Sequence, residues 1–359
     1  EYFQNKGYEI YSLNEVEPFR KILGVKYFFL ISKKNKIKLI VNKLFYHFIA
    51  RFPLPIYYFF KFKYLRLRGF FKIIKNINPD LVHAHSAMEK GIIAQYSNYR
   101  PYLVSCWGTD ILILPEKSKY LKKKMNQILS DAVCIHTVAK HISDKIVNDY
   151  NIPKNKIKEI QYGMHAEIIN YLDNKSKKND TLTVISTRSA KEVYDNEILI
   201  KAAKILQDKK VDVRIKMITG GELYNKYNKM IKNLSLRNIE IEPLVPQNEL
   251  YKKLLDADIY VSCSLSDGLS ICLLEAFAAG LYPIVSNIEA NRNVITHGQN
   301  GSLFKTGNPD SLTEEITKII AQTEKIQKAV AKNKRWVKKY QTLEMNLQKL
   351  EELYEKATK

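Results

Sequence analysis

Ser266-Asp267-Gly268-Leu269-Ser270-Ile271-Cys272-Leu273-Leu274-Glu275-Ala276-Phe277-Ala278-Ala279-Gly280 is the stretch on which the reading of this chain turns. Two carboxylates, Asp267 and Glu275, stand on either side of a Gly turn that opens an apolar helix. The preceding Asp258-Ile259-Tyr260-Val261-Ser262-Cys263 reads as a short buried strand, and Tyr282-Pro283-Ile284-Val285-Ser286 reads as the next one. Strand, turn, helix, strand is a parallel α/β unit, and such sheets bind ligands at the carboxyl ends of their strands. A helix starting there aims N–H groups at the ligand, so an anionic phosphate is the natural guest. The standard rise puts Glu275 about two turns into the helix, roughly 9 Å along its axis. One acid can then face the reacting end of a ligand while the other faces a more distant polar group. Asp267 could instead cap the helix. Glu275, flanked by Leu273, Leu274, Ala276 and Phe277, is poorly placed for free solvation. A carboxylate at the edge of an apolar helix needs a partner, and ligand hydroxyls would supply one.

Working outward, the 359 residues are enough for two domains, each with its own core. No uncharged apolar run reaches bilayer-spanning length, and no secretory signal is evident, so a cytoplasmic protein is expected. Glu1 to Lys6 with Gly7 reads as a helix ending, followed by a strand over Tyr8 to Leu13. A doubly wound domain normally begins with a strand and a turn before that helix, so an initial strand and loop are expected ahead of Glu1. Cys106, Cys134, Cys263 and Cys272 share no metal-type spacing and read as reduced core residues. The seven histidines form no metal-binding helix motif, so no metal is expected.

The net charge of +21 is unevenly placed. From Lys33 through Pro79 there is no acidic residue. The same stretch interleaves bases such as Lys61, Lys63, Arg66 and Arg68 with Phe59, Phe60, Phe62 and Tyr64. Over residues 33–76 this mixture suits an anionic membrane surface. It could also grip a nucleic acid through phosphates and stacked bases. The membrane reading is preferred, because no nucleic-acid module is recognisable and the acid-free stretch is local.

Along the chain, strand-like and helix-like segments alternate twice, separated by the polar run Asp173 to Asp180. Two βαβ series joined by a polar linker predict two Rossmann-like, doubly wound parallel-sheet domains with a cleft between them. The expected divisions are an N-terminal Rossmann-like domain over 1–168, a linker over 169–180, a ligand-binding domain over 181–335 and a C-terminal helix over 336–359. From Arg335 onward a single long amphipathic helix is predicted, with Trp336, Tyr340, Leu343, Leu347, Leu350 and Tyr354 on one side. It is expected to cross back to the first domain.

These residues resemble the family 4 glycosyltransferases, also called group 1, which are retaining, nucleotide-sugar-dependent enzymes with a GT-B fold. The resemblance runs from Gly7 to about Tyr354 and is strongest over Ser262 to Phe304. There Ile288-Glu289-Ala290-Asn291-Arg292-Asn293-Val294-Ile295 and Gly298-Gln299-Asn300-Gly301-Ser302-Leu303-Phe304 also fit the family pattern. The family pairs two glutamates across seven residues. Glu275 matches the second, which typically binds the ribose hydroxyls of the nucleotide. Asp267 stands where the first Glu is usual, near the transferred sugar, and is one methylene shorter. The resemblance implies that Gly268 and the amides of Leu269, Ser270 and Ile271 cradle the diphosphate. Thr187-Arg188-Ser189 resembles the loop carrying the diphosphate-binding arginine, which makes Arg188 the candidate. A lysine usually follows; Tyr194 occupies its aligned position, and Lys191 is the nearby substitute. His83-Ala84-His85 matches a strand end where the family often has a histidine close to the donor sugar, with His85 the choice of the two. Trp107-Gly108-Thr109-Asp110 resembles the turn lining the acceptor side. Gly108 shapes that turn, while Asp110 could bond an acceptor hydroxyl or cap the next helix.

The implied activity is hexosyl transfer from a nucleotide diphosphate donor to a glycan or lipid-linked acceptor, with retention and without a metal or other cofactor. Its expected setting is polysaccharide or glycoconjugate synthesis on the inner face of the cell membrane. The alternatives are a catalytically inactive GT-B scaffold or partner subunit, a nucleic-acid binder, and a sugar-nucleotide epimerase.

Overall fold

A computed structural model describes residues 2–14, 26–29, 73–88, 90–173 and 181–359. Apart from residues 73–76, the basic-aromatic stretch 33–76 lies outside the described residues, as does most of the polar run 173–180. The chain divides into two units, Glu1–Ile160 with Leu347–Lys359, and Gln161–Asn346.

In the second unit six parallel strands are β7 (Thr183–Ser186), β8 (Arg214–Ile218), β9 (Ile239–Glu242), β10 (Ile259–Ser262), β11 (Tyr282–Ser286) and β12 (Ser302–Phe304). Their order is β12-β11-β10-β7-β8-β9. Strands β7, β10 and β11 are buried along their whole length because helices cover both faces of the sheet. Successive residues serve opposite faces. Val184, Val261 and Ile284 enter the core beneath the helices Glu197–Asp208 and Pro309–Ile320. Ile185, Tyr260 and Val285 enter the other core, with Leu274 and Phe277 of the helix Ile271–Ala278. The sheet reverses direction between β7 and β10, so the loops leaving those two strands splay apart. That is where a doubly wound sheet presents its binding crevice.

The first unit has β3 (Val82–His85), β4 (Tyr102–Cys106), β5 (Cys134–Thr137) and β6 (Ile157–Glu159) in a parallel sheet of that order. A separate parallel pair joins β1 (Tyr11–Asn14) to β2 (Lys26–Phe29). The register sets His85 beside Ser105 and Ser105 beside His136. A core of Leu103, Cys134 and Ile160 is completed by Leu353 and Ala357.

Three expectations are corrected. The C-terminal amphipathic segment is two helices, Thr323–Tyr340 and Leu343–Thr358. The helical pattern carries straight through, but at Gln341 the backbone turns to another partner. Met164 N donates to the Gln341 carbonyl at 2.8 Å and Leu343 N to the Met164 carbonyl at 2.8 Å. Residues 169–173 are not linker: Ala166–Asp173 is a helix whose Ile169 and Leu172 are buried, and the boundary falls after Ile160, not after residue 168. Glu275 is little more than one turn into its helix, because Gly268 to Ser270 stay non-helical and the first helical residue is Ile271. No helix among the described residues is long and apolar enough to cross a membrane.

Candidate functional site

Arg188 leaves the carboxyl end of β7 and is only 7% exposed. Its Nη2 donates to Asp267 Oδ2 at 2.7 Å, and its Nη1 donates to Ser270 Oγ at 2.8 Å. The Tyr194 ring lies 3.9 Å from its Cζ. Burial is the largest single influence and works against the charge, but Asp267 together with Tyr260, Cys272 and Tyr194 outweighs it and raises the guanidinium pKa, so the group is a permanent cation. The structure thus brings Arg188, Asp267 and Ser270 together across the β7–β10 crevice, although the acid and the arginine lie 79 positions apart.

What holds the cation is a set of backbone locks. The Arg188 carbonyl accepts from Thr219 Oγ1 at 2.8 Å and from Asn196 Nδ2 at 3.1 Å, and Asn196 also reaches the Ser189 carbonyl. Ala190 N donates to the Gly220 carbonyl at 3.0 Å. At Gly221 φ is +140°, and a Cβ there would stand 2.8 Å from the Ala190 carbonyl oxygen. Asn196 and Thr219 are functional supports that the sequence reading passes over. The only signal was their place just beyond the Arg188 loop and just before Gly220-Gly221.

On the other side, Ser270 caps the helix Ile271–Ala278: its Oγ accepts from Leu273 N at 3.3 Å. The capping role considered for Asp267 therefore falls to Ser270. Asp267 Oδ1 accepts from Gly268 N at 2.9 Å, which fixes the turn. The first intrahelical donors are Leu273 N and Leu274 N, both on the Ser270 carbonyl. The amides of Leu269, Ser270 and Ile271 precede them, in the part of a helix that lacks intrahelical acceptors and carries positive dipole. Two buried donors nearby, Arg188 Nε and Thr187 Oγ1, meet no acceptor among the described residues. A cation, a positive helix end and unsatisfied donors together favour an anion.

Glu275 is 6% exposed. Burial pushes its pKa up to about 7, with a hydrogen bond from Tyr251 pulling the other way. Tyr251 in turn accepts from Gln247 Nε2 at 2.5 Å. Behind the crevice, Ser286 Oγ donates to the Ser264 carbonyl at 2.6 Å and Asn291 Nδ2 donates to the Ser286 carbonyl at 2.8 Å, tying the ends of β10 and β11. Lys191 is exposed at the start of the turn Glu192–Tyr194. It is Tyr194, in the aligned lysine position, that touches the arginine.

The first-unit candidates lie at the carboxyl ends of β3 and β4. His85 stacks on His83 with centroids 3.8 Å apart, and Trp107 stands edge-on to it at 6.1 Å. His85 has an exposed face, yet the protein mass around the ring desolvates it and, with His136 nearby, takes its pKa down to about 4. Asp110 is buried and fully engaged by backbone: Oδ2 accepts from Ala87 N at 2.8 Å, while Oδ1 accepts from Trp107 N at 3.0 Å and Gly108 N at 2.9 Å. It braces the two loops rather than capping the helix, whose N-cap is Gly108 at φ +145°. No group of three or more His, Cys, Asp or Glu that could hold a metal occurs among the described residues.

Comparison with known proteins follows the same lines. Residues 168–336 match the family described as glycosyl transferases group 1, and residues 24–138 match glycosyl transferase 4-like. An uncharacterized glycosyltransferase of Methanocaldococcus jannaschii is 28% identical over 280 residues, 75% of each chain. The UDP-Gal:α-D-GlcNAc-diphosphoundecaprenol α-1,3-galactosyltransferase of Escherichia coli is 26% identical over 272 residues, 70% of this chain and 69% of that one. Among solved structures, a glycosyltransferase from Rickettsia africae superposes with a TM-score of 0.73 at 17% identity, covering 100% of this chain and 92% of that one. The two parallel-sheet units have the GT-B fold.

Proposed function

Because this chain belongs to the group 1 glycosyltransferases, we propose that it moves a hexosyl residue from a nucleotide diphosphate donor to a lipid-linked glycan acceptor, with retention at the anomeric carbon. The observation that carries the reading is the buried Arg188 guanidinium set between Asp267 and the Ser270-capped helix, with Glu275 one turn further in. In this reading the diphosphate docks on Arg188 and on the amides of Leu269, Ser270 and Ile271, while ionised Glu275 accepts from the ribose hydroxyls. As the sugar–oxygen bond lengthens, negative charge grows on the departing diphosphate. Preset donors at that position lower the barrier without having to reorganise. Arg188 and the helix start supply this neutralisation, so the reading assigns the step to the protein's own groups rather than to a metal. Asp267 keeps the guanidinium aimed, and neutral His85 offers a hydrogen bond to the sugar.

A uridine diphosphate sugar is the first donor to try, since the Escherichia coli relative is named for one, on a diphosphoundecaprenol-linked acceptor. The basic-aromatic stretch 33–76 then serves to hold the enzyme peripherally on the inner, anionic face of the cell membrane. The test is release of UDP from a panel of UDP-sugars with such an acceptor. Arg188→Ala and Glu275→Ala should each remove most turnover; undiminished rates in both would refute the assignment. Co-sedimentation with vesicles should need anionic lipid, and equal binding to zwitterionic vesicles would remove the membrane part.

A further inference from the structure

Across the first unit runs a chain of hydrogen bonds that the donor site leaves unexplained. Tyr354 Oη lies 2.6 Å from His83 Nδ1, and His83 Nε2 lies 2.7 Å from Ser105 Oγ. Ser105 Oγ is 2.7 Å from His136 Nδ1, and His136 Nε2 is 2.7 Å from the Ile160 carbonyl oxygen. Burial lowers the pKa of both His83 and His136, so both rings are neutral and each carries one N–H.

The carbonyl at one end then fixes every proton in the chain. Ile160 O only accepts, so His136 carries its hydrogen on Nε2 and offers a lone pair at Nδ1. Ser105 must donate its hydroxyl hydrogen to that lone pair. Its oxygen therefore accepts from His83, which places the His83 hydrogen on Nε2. His83 Nδ1 is left as an acceptor, and the Tyr354 hydroxyl donates to it. No member can reverse alone: a flipped His83 would set a nitrogen lone pair against the Ser105 oxygen. The ring is held at both ends, and His85 stacks on it at 3.8 Å with 30° between the planes.

We propose that Tyr354 and His83 are positioning residues for His85, the proton-ordered chain fixing a neutral imidazole platform that sets the angle at which His85 meets the transferred sugar. This rests on the reading that His85 contacts the donor. Tyr354 comes from the helix Leu343–Thr358, 271 positions from His83, so the last helix contributes to the site through an atom and not only through packing. A second consequence is that His83 stays uncharged beside His85, since two stacked imidazolium rings would repel strongly in a partly desolvated place.

The experiment uses the full chain, the UDP-sugar that supports turnover, and nitrogen-15 spectra of the histidine side chains. The wild-type protein should show His83 and His136 as Nε2–H tautomers at pH 7 to 8. Tyr354→Phe keeps the ring but removes the donor, so the His83 signal should change. A small misplacement of a reacting group costs up to about a hundredfold, and here a loss of about tenfold in kcat with an unchanged donor KM is expected. In a His85→Ala background, itself slow, Tyr354→Phe should have no further effect. The same fractional loss with and without His85, or wild-type kcat in Tyr354→Phe, would overturn the positioning role. A wild-type rate in His85→Ala would instead overturn the reading beneath it, and the proposal with it. Should Tyr354→Phe fail to fold, Ser105→Ala interrupts the same chain from β4 and carries the same expectations.

Discussion

Glu275→Gln should make the second unit more stable while weakening donor binding, and the gain should depend on pH. The carboxyl is buried, which raises its pKa from the ordinary 4.5 to about 7. Folding therefore favours the protonated form, and stability is highest while the group is protonated in both states. As pH rises above 4.5 the unfolded chain ionises first, and stability falls until the folded-state value near 7 is passed. At 1.36 kcal/mol per unit, the difference amounts to a penalty of about 1 kcal/mol at pH 5 and about 3 kcal/mol at pH 8. The glutamine variant carries no such penalty, so its advantage over wild type should grow by about 2 kcal/mol across that range. Trp336, packed against Phe277 in the same core, reports unfolding of this unit by fluorescence once Trp107 is replaced by Phe. Binding should move oppositely: wild-type affinity for UDP should fall about tenfold from pH 8 to pH 6 as the ribose-binding carboxylate is neutralised, and Glu275→Gln should be weak and flat. A stability gap between the two proteins that is the same at pH 5 and pH 8 would refute the reasoning.

Arg188→Lys should lose turnover nearly as severely as Arg188→Ala, about a hundredfold or more, because an ammonium cannot hold Asp267, Ser270 and a phosphate together; steady-state UDP release measures it. Tyr194→Phe should retain donor affinity, whereas Tyr194→Ala should weaken it by about 2 kcal/mol, the worth of a desolvated cation–π contact, by calorimetric titration with UDP. Gly221→Ala should lower the melting temperature of the second unit and cost about 1–3 kcal/mol, since both its φ of +140° and the nearby Ala190 carbonyl oppose a side chain.

Much of the second unit is written locally. The apolar runs of β10 and β11, the Gly turn and the helix after it lie close in sequence, and a parallel unit is their simplest arrangement. The same holds for Arg188, which follows a strand directly. Features that depend on distant backbone were not readable in this way. The break at Gln341 interrupts an unbroken amphipathic pattern, because Met164 captures the backbone there. The grip of Thr219 and Asn196 on the Arg188 carbonyl joins three loops, and neither residue type announces it. Asp110 could be read two ways from its position, and only the loop around Ala87 decides how its carboxylate is used. His83, set aside in favour of His85, turned out to be held by a tyrosine at the far end of the sequence.

The way the chain divides bears on its synthesis. The second unit is one uninterrupted stretch, Gln161–Asn346, whereas the first needs Leu347–Lys359 as well. Leu103, Cys134 and Ile160 cannot be fully covered until Leu353 and Ala357 have emerged from the ribosome. Domains usually mature in the order of translation. Here the later-made unit has all its parts before the earlier one does, and the half-built first sheet must wait, with an open hydrophobic flank, for a helix still to be translated.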